Sequence, residues 1–337
     1  MREAMFIKKN AEKWKEYQHF ATDNPDETAE RFITLIDDLS YAKTFYPKSK
    51  ATRWINGIAA SIYLSIYQNK KEKYTRVFRF WKYELPLLFK KYHKVLLFTV
   101  CVNVFFTAIG IWGSINDGEF IRGILGDDYV NMTEANIAKG DPFGVYKSDN
   151  LFSMFVHIGV NNIFVAFLMA IGGLLLGITT LVMMWQNCLM LGAFQYMFFS
   201  KGLGLQSIMV IWIHGTLEIL AFFIASTASF VMVQGLLFPG TFKRTISFKR
   251  SVKDAMKIML VLVPIFVVAA FLETYVTHLM SQTYDKESNF GLPVWGSAII
   301  LAVSLAFIVW YFVILPIRLN KKGYYIQPDG IINRLKK

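Results

Sequence analysis

An all-α, polytopic helical membrane protein is the fold class this sequence predicts, and three observations predict it. The 337-residue chain is 54% hydrophobic and 16% aromatic, with a mean hydropathy of +0.38. Its apolar residues gather in continuous runs of 17 or more, the length a helix needs to cross hydrocarbon about 30 Å thick. Those runs are rich in Leu, Ile, Phe and Met and lack the two-residue alternation that a membrane β-barrel requires.

The elements follow in order. The first 20 residues are charged and hold no apolar core, so no cleavable signal peptide is expected and the first span serves as the insertion signal. Residues 1–93 read as a cytoplasmic helical region. Phe32, Leu35, Ile36 and Leu39 mark one apolar stripe, and Ile55, Ile58, Ala59, Ile62 and Ile66 mark another. Asp26 is placed to cap the first of these helices, and Pro47 separates the two. From Tyr74 to Tyr92, aromatic and Leu residues mix with Lys and Arg, which describes an interfacial helix bent at Pro86. Six membrane spans follow at about 94–115, 157–180, 183–200, 206–237, 258–280 and 294–317, with 318–337 as a tail. The span at 183–200 is short and starts with polar Trp185, Gln186 and Asn187. A re-entrant hairpin over 157–200 would leave every loop on the same side.

Loop charges orient the chain, because Lys and Arg accumulate on the cytoplasmic side of span ends. Segment 1–93 carries 18 basic and 11 acidic residues, and segments 238–257 and 318–337 carry six and one each. Segment 116–156 has three basic and seven acidic residues, and 281–293 has one and two. Both termini are therefore expected in the cytoplasm, with 94–317 in the cytoplasmic (inner) membrane. The net charge of +12 lies on faces that meet anionic lipid, so membrane lipids rather than nucleic acid are the expected partner. Lys243, Arg244, Lys249, Arg250 and Lys253 recur at helical spacing and mark a lipid or partner surface. Cys101 and Cys188 both fall within spans and suggest neither a disulfide nor a metal framework.

Two acidic side chains, Glu218 and Glu273, fall inside the spans. A carboxylate in hydrocarbon costs a few kcal/mol even on lenient insertion scales, so it marks a bundle interior or a wet cavity. On the topology above, Glu218 and His214, four residues apart on one helix face, occupy the outer half of their span. Glu273 and His278 lie at the same depth in theirs, as do His157, Asn161 and Asn162. These seven residues form the predicted intramembrane polar pocket. No catalytic residue, metal ligand set or cofactor is assigned, because the chain contains no P-loop, no His-Glu-x-x-His and no Gly-x-Ser-x-Gly.

A family resemblance rests on motifs spread along the chain. They are Trp14, Leu35, Leu39, Ala42, Tyr46-Pro47-Lys48-Ser49, Asn56 and Pro86; Asn161-Asn162 opening a span with Gly172-Gly173, Gly177 and Thr179; Asn187 and Gly192; His214-Gly215-Thr216-Leu217-Glu218; and Ala269-Ala270-Phe271-Leu272-Glu273. With these the chain resembles the stage II sporulation protein M family. The resemblance implies an integral membrane protein that, in the founding members, acts during spore engulfment as an anchor for two peptidoglycan-cleaving enzymes. Most relatives belong to organisms that do not sporulate. The six-span pattern is also similar, at the level of fold alone, to the membrane half of type-2 exporters. The expected function is a non-enzymatic integral membrane component of the cell envelope, transporter-like or scaffolding. The alternatives are a purely architectural polar cluster, an intramembrane metal-dependent hydrolase, and the membrane subunit of an exporter driven by a separate ATPase. A homodimer is expected from the Gly-rich span 157–180, and an envelope partner protein at the external loop 116–156.

Overall fold

The computed structural model describes the chain except for residues 1, 20, 21, 23, 68–74, 147–149, 285–290, 328–331 and 335–337. Two compact units are present, Met1–Arg76 and Val77–Lys337.

The described residues of the first unit form three helices, α1 (Glu3–His19), α2 (Pro25–Phe45) and α3 (Lys50–Tyr67). Pro47 lies in the connection between α2 and α3, as its fixed φ and missing N–H require. The N-cap of α2 is Asn24 rather than Asp26: its side chain accepts from the Asp26 N–H at 3.1 Å. Pro25 takes the first helical position, where a missing N–H costs nothing, and this moves Asp26 into the first turn. The core gathers Phe6, Trp14, Leu35, Leu39, Ala42, Ile55, Ile58 and Ala59. Fully buried Trp14 satisfies its indole N–H on Asp38 at 2.8 Å and meets Trp54 edge-on at 5.6 Å. Ile36 lies on the exposed side of its stripe, and the side chain of Ile66, like Tyr74, lies outside the described residues.

The second unit is a helical bundle. Helix α4 (residues 75–91) leads into α5 (His93–Asn116), followed by α6 (Gly118–Leu125) and α7 (Asp127–Lys139). Then come α8 (Leu151–Leu175), α9 (Ile178–Ser200), α10 (Gly204–Leu237) and α11 (Arg244–Met259). Helix α12 (residues 262–283) and α13 (Val294–Lys321) complete the bundle, and a hairpin of β1 (Tyr324–Ile326) and β2 (Ile332–Arg334) follows. Among the described residues five stretches are long and apolar enough to cross a membrane: α5, α8, α10, the run Arg244–Thr283 containing α11 and α12, and α13. Helix α9, which carries Gln186, Asn187 and Gln195, is not among the five. The segment expected as an open external loop contains α6 and α7, started by the Asp117 side chain capping Glu119 and parted by Gly126 at φ +85°.

Small residues set the closest approaches. A Cβ on Gly192 of α9 would lie 2.6 Å from the Thr107 carbonyl of α5, and one on Gly110 would lie 2.7 Å from the Leu189 carbonyl. Between α8 and α9 the chain reverses through Leu176 (φ +56°) and Gly177 (φ +78°), a left-handed turn that favours glycine. Hydroxyls join the buried faces, with Thr180 and Ser229 at 2.6 Å and Thr99 and Thr227 at 2.9 Å. Such bonds hold helices together where lipid offers no hydrophobic contrast.

The two ends of the bundle differ in chemistry. At one end Val130, Phe143, Phe198, Ile213 and Met280 form an apolar cluster, with Phe143 stacked on Phe198 at 5.4 Å. At the other, α4, α11 and α13 meet. Lys257 pairs with Glu84, Lys91 reaches Asp254 at 2.6 Å, and the Tyr92 hydroxyl donates to the same carboxylate at 2.8 Å. Burial, and secondarily the Asp254 charge, push the Tyr92 phenol above its usual range. One side of α11, through Ser251, Asp254, Ala255 and Ile258, is buried on the protein.

Among the described residues three helices contain a π-helical turn: Phe80–Glu84 in α4, Leu272–Thr277 in α12 and Trp310–Ile314 in α13. In α4 and α13 the turn ends two residues before a proline, Pro86 and Pro316. A proline ring clashes with the carbonyl four residues earlier, and a wider turn relieves that clash. The turn in α12 has no such proline, and it carries Glu273, Thr274 and Thr277.

Candidate functional site

Helix α10 presents His214 and Glu218 one turn apart, on a face that also buries Ile211, Leu217 and Ala221. Opposite, the π turn of α12 presents Glu273 and Thr277. In an α-helix the four-residue spacing of these two would set them almost in line, and the wider turn changes that phase. From α8, Asn162 enters between them, on the inward face it shares with Ala166 and Ala170.

The geometry is closely specified. The Asn162 amide donates to Glu218 Oε1 at 2.6 Å. His214 is 4% exposed; its Nδ1 lies 2.9 Å from the Thr277 hydroxyl, and its Nε2 faces Glu273 Oε1 at 3.9 Å. One ligand atom each from His214, Glu218 and Glu273 lies within 4.8 Å of the others. In the tautomer whose Nδ1–H donates to the Thr277 hydroxyl, the Nε2 lone pair is turned toward Glu273. These three residues could hold a metal ion. Thr274, fully buried beside Glu273, has a hydroxyl with no hydrogen-bond partner among the described residues.

Glu218 borders two cavities. One of about 500 Å³ is lined by Asn103, Thr107, Asn162, Asn187, Trp212 and Glu218 among apolar walls. The other, about 390 Å³, is lined by Leu125, Tyr129, His214, Gly215, Glu218 and Glu273. Tyr129, on α7, has its phenol pushed up by burial. Gly215 does not serve close helix packing, because a Cβ there would meet nothing within 4 Å.

Of the seven residues assigned to the pocket from sequence, the structure gathers His214, Glu218, Glu273 and Asn162. His157 and Asn161 are exposed on α8. They share a face with Val160, Phe164 and Leu168, whereas Asn162 falls on the opposite, packed face. His278 lies 3.3 Å from Gln282 on its own helix, apart from the group. Asn103 and Asn187 were absent from the predicted set. The signal for the two asparagines, an amide inside an apolar run, was present in the sequence. Asn103 accepts from the Cys188 thiol at 3.0 Å. Among the predicted surface cations, Lys243, Arg244, Lys249 and Lys253 are exposed, whereas Arg250 folds back over the Phe242 ring at 4.3 Å.

A family model described as Stage II sporulation protein M matches residues 94–278, which include the whole site. A second model, a domain of unknown function (DUF8413), matches residues 4–68. The motifs from Trp14 to Pro86 lie outside the first match, so the likeness covers the bundle from α5 into α12 rather than the entire chain. No curated protein and no solved structure matches.

Proposed function

The chain belongs to the stage II sporulation protein M family of integral membrane proteins, and from that premise we propose that it is a non-enzymatic, transporter-like subunit of the cell envelope whose intramembrane pocket receives a cationic or polar group. The observation that carries this reading is the placement of two carboxyls and an imidazole against one another on the wall of a cavity of about 390 Å³ that all three line. Carboxyls so placed in lipid face cargo or coupling ions. Six spans with both termini in the cytoplasm are part of the reading. Their support is that α9 runs back between the turn at Gly177 and the turn at Gly202, and that the basic segments around α4, α11 and α13 meet at one end of the bundle. The pocket then opens in the outer half of the membrane.

The test is the pair Glu218→Gln and Glu273→Gln, scored for yield of folded protein in detergent and for rescue of a deletion strain. Folded protein that fails to rescue is the expected outcome. Folded protein that rescues fully would overturn the reading, and replacement of 116–156 would then locate a scaffolding surface instead.

A further inference from the structure

We propose that His214, Glu218 and Glu273 are the three protein ligands of a single zinc-class divalent cation, with a fourth coordination position facing the cavities. The inference rests on the reading of this pocket as a binding site and names what the site holds.

Four observations carry it. The donor set combines one imidazole nitrogen and two carboxylate oxygens on two helices, all within 4.8 Å. Tetrahedral zinc with bonds of about 2.0–2.2 Å places ligand atoms roughly 3.4 Å apart, so the observed 3.9 Å between His214 Nε2 and Glu273 Oε1 closes by a sub-ångström movement. Second, α12 and α8 each supply an orienting group. Thr277 holds the far nitrogen of His214 and Asn162 holds one oxygen of Glu218, the outer-shell arrangement that fixes imidazole and carboxylate ligands in metal sites. Third, Glu273 and Thr277 reach His214 through a π turn that no proline explains, the kind of local departure that recurs at functional sites. Fourth, three protein ligands beside open space leave room for water or a guest oxygen as the fourth ligand.

The chemistry selects the metal class. Mg²⁺ and Ca²⁺ prefer all-oxygen shells of six or more ligands, whereas an imidazole with two carboxylates suits zinc and its first-row neighbours. A dication also balances two carboxylates held together away from bulk water.

The experiment uses the full-length chain purified in detergent, stripped with chelator, reloaded with Zn²⁺ alone, and assayed for bound metal by elemental mass spectrometry. One Zn²⁺ per chain is expected, undisplaced by excess Mg²⁺ or Ca²⁺. His214→Ala, Glu218→Gln and Glu273→Gln should each lose binding. Thr277→Val, which leaves all three ligands in place, should weaken it about 10- to 100-fold, and His157→Ala and His278→Ala should bind as the parent does. Should a ligand variant fail to fold, the Zn²⁺-dependent rise in thermal stability of the parent and of Thr277→Val still decides. Substoichiometric zinc in the parent, or stoichiometric zinc that survives the ligand substitutions, overturns the inference. If zinc is absent while the Gln variants fail to rescue, the metal falls and the pocket stands. Zinc bound in a chain whose Gln variants rescue fully leaves the metal site and removes the proposed transport role.

Discussion

Alanine at Gly192 and alanine at Gly215 should change stability in opposite directions. At Gly192 the added methyl would sit 2.6 Å from the Thr107 carbonyl, 2.8 Å from the Ile111 nitrogen and 3.0 Å from the Gly110 carbonyl carbon. All three are backbone atoms of α5, so no side chain can swing aside. Relief requires α5 and α9 to separate by roughly 0.5–1 Å, which forfeits a quarter to a half of the dispersion contact along the seam. Overpacking of this kind costs about 1–3 kcal/mol. At Gly215, inside α10, the same methyl meets nothing within 4 Å, and exchange of a helical glycine for alanine gains about 0.5–1 kcal/mol. Reversible unfolding of both variants and the parent in one detergent, followed by helical circular dichroism, measures the difference. If Gly192→Ala lies within about 0.5 kcal/mol of the parent, or if Gly215→Ala is the more damaging of the two, the reading of which glycine holds the helices together is refuted.

Two further outcomes are expected. Lys257→Ala should destabilise the bundle by about 3–5 kcal/mol, because the Glu84 carboxylate, with 11% of its side chain exposed, is left without its cation; a loss below about 1 kcal/mol in the same unfolding assay would contradict this. Glu134 on α7 is held below the usual carboxylate range chiefly by its hydrogen bond from Lys201, with the Lys201 charge next. Its depressed folded-state value means that the Lys201–Glu134 coupling is present above the unfolded-state value of about 4.5 and fades as pH falls through the lower folded one. The pair is largely exposed, so a double-mutant cycle should give under about 1 kcal/mol at neutral pH and less on acidification, and a coupling that does not shrink in acid would contradict the assignment.

The bundle was legible because helices in lipid must satisfy their own backbone and therefore leave long apolar runs. The polar pocket was legible for the same reason: Glu218 and Glu273 stood out in runs that tolerate few charges, and the four-residue spacing put His214 beside Glu218. Facing was not legible. In a span apolar all round, nothing in the sequence tells lipid side from protein side, which is why His157 and Asn161 joined the predicted set although they share the exposed face of α8. Helices α6 and α7 were hidden by their acids, which read as an open loop, and the Asn24 cap was hidden because Asp26 offered an equally good side chain. The π turn in α12 left no mark either, since one residue of extra winding alters no composition and no period that a 22-residue helix can display.

That extra winding has an arithmetic consequence. A π turn holds one residue more than the α-helix it interrupts, so Leu272–Thr277 works as an insertion stored within a continuous helix. Removal of one residue there would let α12 close into regular winding. Everything beyond it, from His278 to the Met280 that packs beside Ile213 and Phe143, would keep its facing, because the wide turn absorbs its extra residue without rotating the helix that follows. The extra residue thus sets how Glu273 and Thr277 face one another and nothing downstream, so a one-residue deletion is absorbed within Leu272–Thr277, whereas the same deletion elsewhere in α12 would turn everything beyond it by about 100°.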